Sequence, residues 1–234
     1  MGLNHGTNIV KDRLVFLVDA ANPRSYPRSG TTWTDLAGSN DGTLTNGPTF
    51  DSGNGGSIVF DGHNDRIQTV SNIGISGNQD RTMSVWLKGG STNNGKNWPM
   101  AVAFGAGSVN QAMWIGGGAS PSAYWYFGFW GSPSATSGDL DSGIRMDADD
   151  NWHLLTSTYN ETTQVAKGYI DGVEVVSGNR PSINTGSSSL VIGKHLTQST
   201  YWEGYISKIQ IYNRALSAQE VKQNYNALKS RFGL

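Results

Sequence analysis

Cysteine is absent from the 234 residues, which removes disulfides and thiolate metal centres together. A core of this size does not need such staples. Charge is also scarce. Asp, Glu, Lys and Arg make up 15% and the formal net charge is −1, so no basic face for nucleic acid is expected. No apolar run reaches about 18 residues, so membrane insertion is not expected either. The first residues, MGLNHGTNIVKDRL, lack the apolar segment of a secretory signal, so an extracellular role implies another route out of the cell. Glutamate occurs only at 161, 174, 203 and 220, and the four are scattered. Glycoside hydrolysis needs two carboxyl groups about 5 to 9.5 Å apart, and no paired acidic motif offers them. The histidines are His5, His63, His153 and His195. His153 lies within WHLL and reads as a packed, hydrogen-bonded ring, and His63 falls in a turn. Neither a G-x-S-x-G elbow nor a cysteine nucleophile exists. An enzyme is therefore not expected.

What the sequence has is glycine, 31 residues, and aromatics at 10%. Short apolar runs recur every 10 to 15 residues or so between turn residues, as in an antiparallel sandwich. They include RLVFLV (13–18), MSVWLK (83–88), PMAVAFG (99–105), AMWIGG (112–117), WHLLTSTY (152–159), SSLVIG (188–193) and WEGYISKIQIY (202–212). GSIVFDG (56–62) and DRIQTV (65–70) flank a turn cluster and read as a hairpin. In YIDGVEVV, Asp171-Gly172 predicts a two-residue hairpin turn, because that turn needs positive φ at both central positions. The last segment differs. Ser217 and Glu220 form a capping box, and Ala218, Val221, Tyr225 and Leu228 follow on one helical stripe. A closing helix over 217–230 is expected, either sealing one side of the sandwich or docking a partner through Val221, Tyr225 and Leu228. Residues 1–12 read as a loose arm, with the domain occupying 13–234.

Several segments together resemble a known family. GYISKIQIYNRALSAQEVKQNYN resembles the last strand and closing helix of laminin-G-like, concanavalin A-type jelly rolls. FDGHNDRI, MSVWLK and NWHLLTSTYNETTQVAKGYIDGVEVVSG resemble their hairpin, central strand and W-H … Y-x-D-G segment. LVFLVDAANPRSYPRSGTTWTDLAGSNDGTLTNGPTF and the ending NYNALKSRFGL resemble a subgroup common in bacteriophage virion proteins. The resemblance implies an all-β, two-sheet antiparallel jelly-roll sandwich with a short C-terminal α-helix. It also implies a non-enzymatic structural protein of a tailed-phage virion, in the capsid decoration or the tail. Its partners would be other virion proteins or further copies of itself, with host-surface glycans as a candidate ligand. Such a protein is assembled in the host cytoplasm and then extracellular. A dedicated carbohydrate-binding module is the alternative. A hydrolase is a distant one, since the E-x-D-x-E strand of this fold's glucanases is missing.

The fold allows calcium without requiring a cofactor. The resemblance points to Asp19, but Ser207 stands where the family usually has an acid. Asp139, Asp141, Asp147 and Asp149 sit in two loops with D-x-D spacing, DLDSG and MDADDN. Glycans need flat apolar rings for their C–H faces and polar rims for their hydroxyls. AYWYFGFW (123–130), taken as one strand, puts Tyr124, Tyr126 and Trp130 on one face and Trp125, Phe127 and Phe129 on the other. With Trp98 and Trp114 nearby, the first face is either covered by loops or a partner, leaving the strand buried on both sides, or the candidate platform for a sugar or a protein.

Overall fold

A computed structural model of the chain describes residues 8–89, 95–119, 123–131, 138–146 and 149–234. Among these residues sixteen strands precede one α-helix. The strands are β1 (Leu14–Asp19), β2 (Thr32–Trp33), β3 (Gly42–Thr45), β4 (Thr49–Asp51), β5 (Ser57–Asp61), β6 (Arg66–Asn72), β7 (Arg81–Gly89) and β8 (Met100–Gly105). There follow β9 (Ala112–Gly117), β10 (Tyr124–Gly128), β11 (Leu140–Arg145), β12 (His153–Asn160), β13 (Val165–Ile170), β14 (Val173–Asn179), β15 (Ser189–Ile192) and β16 (Glu203–Tyr212), and the helix is α1 (Ala218–Leu228).

Two antiparallel sheets result, as the alternating runs predict. The first runs β14-β13-β12-β7-β16-β5-β4. β5 pairs with the start of β16, and β1 takes the same side along Lys208 to Tyr212. The second runs β11-β10-β9-β8-β15-β6-β3-β2. Period-two alternation decides which residues enter the shared core. Met83, Val85 and Leu87 of β7 pack there with Met113 and Ile115 of β9 and with Trp125 and Phe127 of β10.

Local signals explain the turns. Asp171 and Gly172 have φ of 54° and 76°, and Ile170 pairs with Val173, so the two-residue hairpin forms where Asp-Gly predicts it. The reading of 56–70 as a hairpin is corrected. β5 lies in the first sheet and β6 in the second. The turn between them is a crossover, held by Asp61 Oδ1 accepting from the His63 N–H (2.8 Å) and Asp65 Oδ2 accepting from the Asp61 N–H (3.0 Å). DLDSG is corrected likewise, since Leu140–Arg145 is an edge strand rather than a loop.

The C-terminal segment seals the first sheet from outside. Ser217 and Glu220 form the reciprocal cap. Val221 is buried with Val10, Tyr169, Tyr212 and Leu216, while Tyr225 and Leu228 pack beside Trp86, Trp152, Leu154 and Phe232. Of the two roles expected for Val221, Tyr225 and Leu228, the structure shows the first, since the stripe packs on the chain's own sheet with Val221 fully buried and Tyr225 and Leu228 part-buried. Residues 8–12, expected as part of a loose arm, are tied to it. Val10 N–H donates to Asn224 Oδ1 (2.8 Å), its carbonyl accepts from Tyr212 Oη (2.9 Å), and Gln223 Nε2 donates to the Asn8 carbonyl (2.8 Å). Residues 1–7 lie outside the described residues.

Candidate functional site

The outer face of the second sheet carries its own aromatic cluster. Met100 and Ala103 of β8, Ala112 and Trp114 of β9 and Tyr126 of β10 are buried together there, with Trp98, Tyr124, Trp130 and Leu196 packed at their edge. Trp114 and Tyr126 lie nearly parallel, with centroids 6.2 Å apart, and Trp98 stands edge-on to both at 5.9 and 5.0 Å. Glycine makes the flat arrangement feasible. Gly128 sits opposite Trp114 across the ladder, and a Cβ there would come within 1.8 Å of the indole. The expected face assignment for 123–130 holds: Tyr124, Tyr126 and Trp130 point outward, and Trp125, Phe127 and Phe129 enter the core.

Loops wall off a cavity of about 220 Å³ over this cluster. Trp98 comes from the β7–β8 connection, Trp130 and Gly131 follow β10, Asp139 precedes β11, and His195 and Gln198 come from the β15–β16 connection. Met100 and Trp114 line it from the sheet. Trp98 and Trp130 have φ of 57° and 71°. Bulky side chains avoid that left-handed region at a cost of about 1–3 kcal/mol each, so the surrounding structure must hold both rings where they are.

Asp139 does part of that holding. Its Oδ1 accepts from the N–H groups of Phe129 and Trp130, both at 2.8 Å. Arg180 donates to the Gly138 carbonyl (2.9 Å), and the Gly138 N–H donates to Asn110 Oδ1 (3.0 Å), which fixes the segment from behind. Burial pushes the Asp139 carboxyl up to about 6, against the two amides and the nearby Trp114 indole, which favour the charged form. The Trp114 N–H lies beside that carboxylate but outside ordinary hydrogen-bond geometry, so it has no partner. Trp33, Trp86 and Trp202 also have unpartnered indoles. Trp114 differs from them in lining the cavity. His195 Nδ1 accepts from the N–H groups of Thr197 (3.2 Å) and Gln198 (3.0 Å), and the ring lies 5.1 Å from Trp130. Burial, with Lys194 nearby, drives its pKa down to about 4, so the ring is neutral and carries its proton on Nε2. Tyr126 Oη donates to Asp141 Oδ2 (2.8 Å) under the cluster. The cavity thus offers apolar rings, the unpartnered Trp114 N–H, the neutral His195 ring and one anionic acceptor.

The sequence profile of the concanavalin A-like lectin/glucanases superfamily matches residues 61–222, well over half of the chain. The chain belongs to this superfamily. Among curated proteins none is significantly similar in sequence. Solved structures share the lectin-like sandwich. Domain 4 of AbnA, a GH43 extracellular arabinanase from Geobacillus stearothermophilus solved with arabinotriose, superposes with a TM-score of 0.67 at 21% identity, covering 91% of this chain and 98% of that one. The binding domain of Paraclostridial Mosquitocidal Protein 1 gives 0.65 at 17% identity, over 92% of this chain and 52% of that one. Trypanosoma rangeli sialidase with sialic acid gives 0.68 at 12% identity, over 97% of this chain and 36% of that one. The chain therefore spans about a half and about a third of the latter two.

In this concanavalin A-like sandwich the candidate metal ligands do not converge. Asp139 and Asp141 are engaged as above, and Asp149 bonds His153 Nε2 (3.1 Å). Asp147 lies outside the described residues. Among the described residues no three His, Asp or Glu side chains gather as ligands for an ion. Asp19 is met by cations of the protein itself, Lys208 Nζ on Oδ2 (3.1 Å) and Arg231 on Oδ1 (2.9 Å). Arg231 also donates to the carbonyls of Asn54 (2.7 Å) and Gly56 (3.0 Å) and to Ser207 Oγ. These oxygens already surround a guanidinium, so the place implied for calcium does not fit one. His153 is a packed ring as expected, held between Asp171 (2.8 Å) and Asp149. Burial opposes its charge, but the two carboxylates prevail and its pKa is raised.

Of the five candidate sugar-contacting residues, the structure brings Trp98, Trp114 and Trp130 onto the cavity, sets Tyr126 beneath it and leaves Tyr124 at the edge of the cluster. The sequence reading missed Met100, His195 and Gln198 and did not connect Asp139 to the aromatics. IGKHLTQST carries no periodic or motif signal that could have placed His195 and Gln198 there.

Proposed function

We propose that the chain is a non-catalytic glycan-binding module whose aromatic cavity seats one sugar ring. The observation that carries this reading is the cavity itself: three tryptophans, two of them held in left-handed backbone conformations, around one unpartnered indole N–H, a neutral histidine and a buried carboxylate. Stacked rings with a few fixed polar atoms are what a pyranose or furanose needs. At about 220 Å³ the cavity is smaller than the roughly 300 Å³ at which drug-sized pockets begin. One ring fits and a chain of sugars would run outward. Asp139 is the single carboxylate on the cavity wall among the described residues, and glycoside hydrolysis calls for two.

The arabinanase domain solved with arabinotriose supports the reading by analogy of fold. Resemblance of 14–50 and 224–234 to phage virion proteins supports display on a tailed-phage particle, in its capsid or tail. There many copies raise the avidity of weak sites by about 10² to 10⁴. The test is a glycan array with the full chain and Trp130→Ala, together with reducing-end assays on every glycan bound. Retention is expected without cleavage. Trp130→Ala should weaken binding about thirtyfold, as loss of an aromatic anchor does, and cost about 1–3 kcal/mol of stability for the packing of a part-buried ring, with thermal melting showing that the variant stays folded. Unchanged retention, or released sugar, refutes the reading.

A further inference from the structure

We propose that this cavity selects uncharged sugars and that Asp139 is the residue that turns acidic ones away. The inference rests on the glycan reading above and concerns which class of ring enters. It follows from the charges on the wall. Among the described residues that line the cavity, Asp139 is the one formal charge, and no lysine or arginine is present. Residues 90–94, 120–122 and 132–137 contain no lysine, arginine or histidine either.

The cations on neighbouring segments lie off the cavity wall: Arg180 sits behind Asp139 and favours its charged form, and Lys194 lies close enough to His195 to oppose its protonation, while both donate to the protein's own carbonyls. Arg180 donates to main-chain carbonyls at Gly138 (2.9 Å), Asn179 (2.7 Å) and Asp139 (3.4 Å). Lys194 donates to the His195 carbonyl (3.1 Å). Lys96 donates to the carbonyls of Gly62 (3.2 Å) and Tyr201 (3.1 Å) and faces Glu203 at 3.5 Å. His195 spends its Nδ1 lone pair on two backbone amides, so its ring sits there as a neutral donor.

An acidic sugar, whether a uronate, a sialic acid or a sulfated hexose, carries an anion that proteins meet with arginine or lysine. Here that anion would enter a partly desolvated site beside a like charge and find no lysine or arginine among the described residues of the wall to pair with, which disfavours it. A neutral sugar meets complementary groups instead: hydroxyls donate to the carboxylate and accept from the Trp114 and His195 N–H groups, while a C–H face lies on the indoles.

The experiment is titration calorimetry on the full chain with glucose, galactose, arabinose and N-acetylglucosamine against glucuronic acid, N-acetylneuraminic acid and galactose 6-sulfate. It is run on the wild type, Asp139→Asn and Trp130→Ala. At least one neutral sugar should bind at least tenfold more tightly than every acidic one. D139N should reduce that ratio at least fivefold, since the asparagine oxygen can still accept from the Phe129 and Trp130 amides. If acidic sugars bind as well as neutral ones and W130A abolishes both, the selectivity inference fails and the site stands. A D139N protein that remains folded by thermal melting with its ratio unchanged also overturns the role given to Asp139. Should no sugar bind, or W130A change nothing, the site reading itself fails. The wild-type comparison needs no variant to fold.

Discussion

Both sheets bear aromatic clusters on their outer faces, and the two have opposite fates. On the first sheet Trp86 is completely buried. Phe232 stacks on it at 4.2 Å, Tyr225 at 5.8 Å, and Trp152 meets Phe232 at 4.9 Å. On the second sheet Trp114 is as well buried by its neighbours, yet Trp98 and Trp130 are half-exposed around an open cavity. Residue type does not separate the two clusters. What separates them is the cover. A capped helix supplies a continuous apolar stripe to the first, whereas single residues from three connections, Trp98, Trp130 with Asp139, and His195 with Gln198, wall the second and leave room. Backbone strain follows the same division, since Trp98 and Trp130 adopt positive φ and the aromatic residues of the sealed cluster do not. The sealed face has relaxed into ordinary backbone geometry, and the open one carries the strained tryptophans, which is the pattern that motivates the ligand proposal.

The comparison can be broken from either side. Phe232→Ala should have the largest effect. It opens a hole beneath the helix and costs about 3 kcal/mol or more, as buried Phe truncations do, while leaving sugar affinity within about twofold. Urea unfolding and calorimetry read the two numbers, and a matching loss of affinity would show that the clusters are coupled. Gly128→Ala comes next. The added methyl displaces the Trp114 indole, so sugar affinity should fall at least tenfold, with a stability cost of about 1–3 kcal/mol from overpacking. Intact affinity in this variant would mean that Trp114 is not part of the platform.

The smallest effect belongs to the helix start. Its bidentate bond to Arg214, against some desolvation, holds Glu220 down to about 2. With the folded pKa below the unfolded one, this contribution is present above the ordinary carboxylate range and is lost as pH falls through about 2. The melting gap between wild type and Glu220→Gln should therefore be widest near pH 7 and close towards pH 2. It should be worth about 1 kcal/mol or less for a pair this exposed. A gap that persists in acid would assign the effect to the cap's geometry rather than to charge.

Features encoded within a few residues were legible in advance. Asp171-Gly172 specifies its turn because few other residues adopt positive φ twice in succession. Ser217 and Glu220 mark a helix start because orphan amides need acceptors. Alternation sorted 123–130 correctly into core and outer faces. Features that depend on segments far apart were not. Nothing local distinguishes the Asp61–Asp65 crossover from a hairpin, since both are tight polar turns. The stripe of Val221, Tyr225 and Leu228 was visible, but not the surface it would meet. For the site, the sequence supplied the rings. The conjunction of Trp98, Trp130, Asp139 and His195 comes from connections spread over about a hundred residues and is fixed only by sheet order. Asp19 shows the same limit, since the resemblance pointed it at calcium and nothing local showed that Lys208 and Arg231 would meet it instead.

On the glycan reading, the left-handed backbone at Trp98 and Trp130 has a kinetic consequence. Rings locked before the ligand arrives leave little to rearrange on encounter, so capture is governed by diffusion and orientation. A contact of roughly 1 mM that forms at about 10⁵–10⁷ M⁻¹ s⁻¹ dissolves again within about ten milliseconds or less. One such module would touch and leave a coated surface many times each second, and an array of them could wander across it without letting go.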